Sequence, residues 1–297
     1  MRSPHLVAIL QALLVTFLWS TSWVFIKIGL HDIHIPALIF AGLRYGVAFL
    51  VLLAYGQHTN RLDSLKKLSR RDWRLLVVLG IVFYTITQGT QFLALVYLPS
   101  AMFSLILNFT SIVVALAGIK LLKEYPTRIQ WAGIALFIVG VLTYLYPINF
   151  PSEIMLGLLI GATSTLANAG ASILGRYVNR ESTISPFTVT LVSMGVGAGL
   201  LLVVGAVTEE LTPIPLEGWI IILWMAAINT AFAFTLWNVT LQTLSATESS
   251  IINNTMLIQI ALLAWLFLGE TITPKEVIGL LLATAGILIV QVWRRKK

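Results

Sequence analysis

The sequence predicts an all-α membrane protein, with ten transmembrane helices arranged as two five-helix repeats of inverted topology. Three observations carry that prediction: the composition, an internal duplication, and the placement of the basic residues. The chain of 297 residues is 58% hydrophobic and only 10% charged, with a mean hydropathy of +0.92. Soluble domains carry about 25% charged residues, so a water-soluble fold is excluded. Apolar runs of about 20 residues, the length that spans a bilayer as a helix, recur from end to end.

The duplication appears when the sequence is slid 146 positions against itself. Leu95 to Tyr144 then lies on Leu241 to Val290 without a gap, with about 15 of about 50 positions identical. Leu98 meets Leu244, Ser104 meets Ser250, Asn108 meets Asn254, Glu124 meets Glu270, Gly133 meets Gly279 and Gly140 meets Gly286. Two apolar helices share leucines by chance. Matched glycine and polar positions across a loop mark a repeat. The repeat units are residues 1–150 and 151–297.

In order, the apolar runs place spans at Leu6–Leu30, Ile35–Tyr55, Trp73–Leu98, Ala101–Leu122, Arg128–Tyr146, Ile154–Val178, Pro186–Val207, Gly218–Thr243, Thr247–Leu268 and Pro274–Trp293. Breaks fall at Pro36, Pro99, Pro126, Pro147 with Pro151, Pro186, Pro213 with Pro215, and Pro274, where a missing amide and a fixed φ interrupt a helix. The first run is too long for a signal peptide and lacks an A-x-A site. With the N-terminus in the cytoplasm, 16 of the 19 basic residues fall in cytoplasmic segments and only Lys275 in an outer loop. That bias is the positive-inside pattern and predicts cytoplasmic N- and C-termini. It also accounts for the net charge of +7 through contact with anionic lipid, so nucleic acid is not needed as a partner. Five spans per repeat is an odd number, so the second repeat runs through the bilayer upside down. That is a recurring transporter architecture, with the substrate site near the midplane and alternating access by rocking.

Several motifs then become recognisable. Phe17 to Lys27 (FLWSTSWVFIK), Ala41-Gly-Leu-Arg44-Tyr, and Leu268-Gly-Glu270 followed by Gly279 and Gly286 resemble the signatures of the EamA family of the drug/metabolite transporter superfamily. Leu122-Lys-Glu124 with Gly133 and Gly140 is the first-half copy of the last motif. The resemblance covers essentially the whole chain. It departs from the family at Ser111 and Leu257, where proline is usual. It implies a permease of the cell inner membrane that exports small metabolites, amino acids foremost. The alternatives are a nucleoside or sugar carrier, or a non-transporting membrane sensor or assembly protein.

Polar side chains within spans are costly in lipid and so face a cavity or a partner helix. They form stripes: Trp19, Trp23 and Lys27; Tyr84, Gln88 and Gln91; Ser104, Asn108 and Ser111; Ser164, Asn168 and Ser172; Thr235, Asn238 and Gln242; Ser250 and Asn254. Each stripe taken alone reads equally as glue between helices, but six in symmetric positions favour a wet pathway walled in part by Trp19, Trp23, Tyr84, Phe234 and Trp237. Arg44 lies nine residues into its span, about 14 Å along the helix. It reads either as an anchor for a substrate carboxylate or as a structural arginine bonded to neighbouring helices. Lys27 reads as a second cation of the site or as a snorkelling lysine.

The acidic residues all fall in loops or near span ends, which disfavours an intramembrane proton relay and efflux of cationic drugs. The absence of cysteine excludes thiolate chemistry. The four histidines lack metal-ligand spacing, and no nucleophile–base pair is visible, so neither an enzyme, a metal nor a cofactor is expected. The expected partners are a small-molecule substrate and the lipid bilayer. Spans 5 and 10, apolar apart from their glycines, are either scaffold or the surface of a homodimer. Span 7, with Gly195, Gly197 and Gly199, either packs tightly or flexes. Glu124 and Glu270 read as helix-start residues that favour the positive end of the next helix.

Overall fold

The computed structural model describes residues 4–122, 127–148, 150–181, 184–244 and 246–292. Among the described residues the regular structure is helical, and ten helices are long and apolar enough to cross a membrane. They are α1 (Pro4–Asp32), α2 (Ala37–His58), α3 (Arg70–Tyr97), α4 (Ser100–Ala117), α5 (Arg128–Leu145), α6 (Ser152–Val178), α7 (Pro186–Thr208), α8 (Leu216–Trp237), α9 (Ile251–Leu268) and α10 (Pro274–Val292). The expected spans agree within a few residues at most ends. Bulky apolar side chains such as Leu50, Val139, Leu159, Val203, Phe267 and Leu281 point outward, as a bilayer-embedded surface requires. The chain is a multi-pass membrane protein.

The two halves interleave. Helix α1 packs on α8 and α9, and α6 packs correspondingly on α3 and α4. Two helices meet their own counterparts, α2 on α7 and α5 on α10. This exchange pattern is what a two-fold relation between the halves produces. It gathers α1, α2, α8 and α9 into one bundle and α3, α4, α6 and α7 into another. The core between them joins Trp23, Phe40, Tyr45, Phe92, Phe103 and Met225.

The glycines show how α5 and α10 associate. A Cβ on Gly286 would stand 2.4 Å from Phe137 N and one on Gly140 2.4 Å from Ala283 N, while Gly133 and Gly279 meet the carbonyls of Gly286 and Gly140. Backbone therefore touches backbone, which only small residues permit. The two glycine faces are turned to each other within the chain. In α7, Gly195 lies against Phe49 and Gly197 against Tyr84 and Gly80, whereas Gly199 faces open space.

The helix starts of α5 and α10 are built by capping boxes, Thr127 with Gln130 and Thr273 with Glu276, in which side chain and backbone satisfy each other's orphan amides. Glu270 therefore does not start α10. Its carboxylate reaches instead to the N-terminus of α4, accepting from Ser100 N at 2.8 Å. The expectation that Glu270 serves the next helix is corrected: Glu276 takes that place, and Glu270 meets the positive end of a helix of the other repeat. Glu124 lies outside the described residues.

Three segments among the described residues widen from α- to π-helix, one of them Ile28–Asp32 at the end of α1 and the other two within spans. Residues Gly80–Gln88 of α3 and Met225–Phe232 of α8 are π-helical. At the repeat offset of 146, Gly80–Gln88 falls on Ala226–Phe234, so the two widened segments occupy equivalent places. Each is stitched by a threonine donating to the carbonyl five residues back, Thr87 to Val82 and Thr230 to Met225. α4 is interrupted at Asn108 without a proline, the local turn being closed by Ser111 N to Asn108 O.

We expect Gly286→Leu to force α5 and α10 apart and to cost about 1–3 kcal/mol, as overpacking of a tight contact does. It should lower the unfolding midpoint in detergent by several degrees. Gly199→Ala should leave that midpoint unchanged.

Candidate functional site

A cavity of about 290 Å³ lies between α4, α6, α9 and α10, with α1 at its inner end. Its polar wall is made by Ser104, Asn108, Thr110 and Ser111 of α4, Asn168 and Ser172 of α6, and Asn253 and Asn254 of α9, with Gln291 of α10 beside them. Trp23 of α1 stands at its inner end, packed on Phe103 with ring centroids 5.3 Å apart. Asn253 and Asn254 are near the start of α9, Ser172 near the end of α6 and Gln291 near the end of α10. Ser104 and Trp23 stand deeper, toward the opposite face, so the cavity runs from mid-membrane toward the face of the two termini, where Gln291 stands near the end of α10.

The amides are held by short-range bonds. Asn108 Nδ2 donates to Ser104 O at 2.8 Å, and Asn168 Nδ2 to Thr110 Oγ1 at 3.2 Å. Asn254 Nδ2 donates to Gln291 Oε1, and Gln291 Nε2 to Ser111 Oγ at 3.4 Å. The cavity amides are thus joined to one another and to the helices around them, and no charged side chain is among the described lining residues. Such a wall can solvate a polar solute by hydrogen bonds.

Of the residues expected from sequence, the structure brings Trp23, Asn108, Asn168 and Asn254 together at this cavity. The others lie elsewhere. Tyr84 is buried edge-on against Tyr45 at 5.2 Å, and Gln88 accepts from Tyr45 Oη at 2.7 Å, so the α3 stripe is spent on α2. Gln91 is buried in the same helix. Trp19 packs between Phe234 and Trp237, at 5.1 and 5.3 Å. The Asn238 side chain lies outside the described residues, and Thr235 and Gln242 are exposed away from the cavity. The inward polar residues of α8 are Asn229 and Thr230 instead, both fully buried. Asn229 donates to Leu18 O and to Thr21 Oγ1.

Arg44 is 5% exposed and does not line the cavity. Its Nε donates to Thr230 Oγ1 at 3.3 Å and its Nη2 to Ser22 Oγ at 3.4 Å. Among the described residues no carboxylate pairs with it. Its partners are neutral hydroxyls on α1 and α8, and Ser22 is the residue next to Trp23. Lys27 turns inward, its Nζ donating to Leu95 O at 2.9 Å and lying 3.1 Å from His31 Nε2, so it does not snorkel.

Gln291 and Asn253 are cavity residues that the stripe pattern missed. Gln291 is a lone amide at the end of an apolar helix with no polar neighbour at i−4. Its signal was its isolation in an otherwise apolar span.

A ten-helix interleaved bundle around a neutral, amide-lined cavity defines a membrane transporter fold. The chain matches the EamA-like transporter family over residues 6–146 and 155–292 and belongs to that family. It is similar to a probable amino-acid metabolite efflux pump of Salmonella typhimurium, 27% identical over 94% of this chain and 92% of that protein. It is also similar to an S-adenosylmethionine/S-adenosylhomocysteine transporter of Chlamydia trachomatis, 25% identical over 95% of this chain and 87% of that one. One crystal structure shares the fold with a TM-score of 0.69 at 17% identity, covering 96% of this chain and 97% of that chain.

The Asn254–Gln291 bridge predicts a measurable coupling. In a double-mutant cycle with Asn254→Ala and Gln291→Ala, thermal unfolding in detergent should give an interaction energy of about 0.6–1.7 kcal/mol, the range for interhelical hydrogen bonds in membranes.

Proposed function

We propose that this protein exports small polar metabolites, amino acids foremost, across the plasma (cell inner) membrane by alternating access, with both termini in the cytoplasm. The observation that carries the reading is the cavity itself. It is polar, lies between helices of the two repeats (residues 1–150 and 151–297), and reaches from mid-membrane toward the face of the termini. With the basic segments on the cytoplasmic side, that arrangement is an inward-facing vestibule. On the opposite face Glu209 accepts from Leu38 N and Ile39 N, Glu270 from Ser100 N, and Lys275 reaches Tyr146 O.

A zwitterionic amino acid suits this environment. The Asn108 and Asn168 side-chain oxygens are offered to its ammonium group and the second N–H of each amide to its carboxylate, the first N–H being spent on Ser104 O and Thr110 Oγ1. Arg44 acts on the carboxylate through its field rather than by contact. It is a buried cation with no paired acid among the described residues, one helix face behind Trp23, and it raises the potential in the cavity at low local dielectric. Trp19, Trp237, Tyr84, Gln88, Gln91 and Lys27 do not line the cavity. The names of the two relatives, both concerned with amino-acid metabolites or a methionine derivative, agree with this class. The second reading is a nucleoside carrier, which the neutral amides and the Trp23 ring favour, with Arg44 purely structural.

Counterflow in proteoliposomes loaded with amino acids, nucleosides and sugars separates these readings. We expect carboxylate-bearing solutes to exchange. Asn254→Ala and Asn108→Ala should each weaken apparent affinity by about two- to tenfold, the value of a typical hydrogen bond. Arg44→Ala should weaken amino acids and leave uncharged solutes unchanged. Exchange of nucleosides or sugars alone would favour the second reading, and no flux for any solute would point to a non-transporting protein.

A further inference from the structure

Beyond the cavity, an unusual set of polar contacts joins the two bundles at the face opposite the termini. Helix α9 ends at Leu268. Gly269 then takes a left-handed conformation (φ +65), which glycine adopts without steric cost, and turns the chain so that Glu270 faces α4 across the repeat interface. Glu270 Oε1 accepts from Ser100 N at 2.8 Å and Oε2 from Ala101 N at 3.4 Å. These are first-turn amides of α4 that have no partner within their own helix, and the carboxylate also meets the positive end of its dipole. A few residues away, Lys27 at the end of α1 donates to Leu95 O, and His31 Nε2 lies 3.2 Å from the same oxygen.

Both charged residues thus reach from the α1–α9 bundle to the same α3–α4 hairpin. Glu270 takes its amides and Lys27 takes its carbonyl. The two charges also act on each other through space, yet they form no ion pair here. The apolar contacts beside them, Ala101 and Leu105 with Leu257 and Ala261, exchange with lipid at little cost because acyl chains are as apolar as leucine. The directional polar bonds therefore decide whether this face is open. The α2–α7 seam differs. There Gly42 and Gly205 bring backbone within 3.0 Å of where a Cβ would stand, so close backbone packing joins that seam in addition to Glu209.

The geometry points to Glu270 and Lys27 as a charge-swap latch. With the outer face closed, each bonds to the α3–α4 hairpin. When that hairpin moves away, the two pair with each other, so neither charge is left unpaired in lipid at any stage. This inference rests on the transport reading for its purpose, but its structural content is tested separately.

The absence of cysteine makes the test direct. Ser100 is fully buried and its hydroxyl makes no hydrogen bond, so Ser100→Cys removes no contact and places a shielded thiol beside the latch. Leu201→Cys, at a site 1% exposed in α7, serves as a control for general loosening. Labelling by a membrane-impermeant maleimide from the face opposite the termini is then measured in vesicles, in the wild-type background and with Glu270→Gln or Glu270→Ala.

We expect Ser100→Cys to react about tenfold faster with Glu270→Gln, a shift that a modest change in the open population produces. It should react faster still with Glu270→Ala, while Leu201→Cys does not change. Solute binding should persist while counterflow falls. Unchanged labelling in both variants, each still folded by thermal unfolding, would overturn the latch. So would a parallel rise at Leu201→Cys, which would make Glu270 a merely structural cap. If the labelling changes as expected but the wild type in the same vesicles moves no solute, the latch stands and the transport reading fails.

Discussion

In a bilayer, apolar helices gain nothing from hiding apolar surface, because lipid is as apolar as they are, and association must come from close backbone packing and from hydrogen bonds. Every contact that organises this protein obeys that constraint. Gly133, Gly140, Gly279 and Gly286 let α5 and α10 touch backbone to backbone. Where residues are larger, side-chain bonds do the joining: Gln259 with Ser20 and Thr16 between α9 and α1, and Ser164 with Thr87 O between α6 and α3.

The same constraint explains why the halves interleave rather than stand apart. A five-helix unit alone would present its polar stripes to lipid. By placing α1 against α8 and α9, and α6 against α3 and α4, the chain satisfies the stripes of one repeat with groups of the other. The caps show the same economy. Glu270 serves a helix of the first half and Glu209 the start of α2, each spanning about 170 positions of sequence to reach an amide that its own helix cannot satisfy.

Much of this was legible in the sequence, because hydropathy and period depend only on local residues. The ten spans, the repeat and the glycine pairs could be read directly. So could half of the cavity wall, since Ser104, Asn108 and Ser111, like Asn168 and Ser172, lie on straight helical faces where i, i+4 spacing holds. What could not be read was set by partners distant in sequence. The α3 stripe fits the same spacing as the α4 stripe, and nothing local tells that Tyr45 takes it. Arg44 looked like a site residue because its depth is legible and its hydroxyl partners are not. The α8 stripe of Thr235 and Gln242 failed for a different reason. The π-helical turn upstream changes the residues per turn, and it is Asn229 and Thr230, inside that turn, that face inward.

Those widened turns have a consequence for motion. An α-helix advances about 100° per residue and the wider π turn less, so returning a whole π turn to α spacing twists everything beyond it while the helix stays continuous. Helices α3 and α8 each carry such a turn at equivalent depth, pinned by a threonine hydroxyl that needs only a new carbonyl to let go. The protein therefore holds, in two symmetric places, a way to rotate half a helix inside lipid without exposing a bare backbone amide on the way.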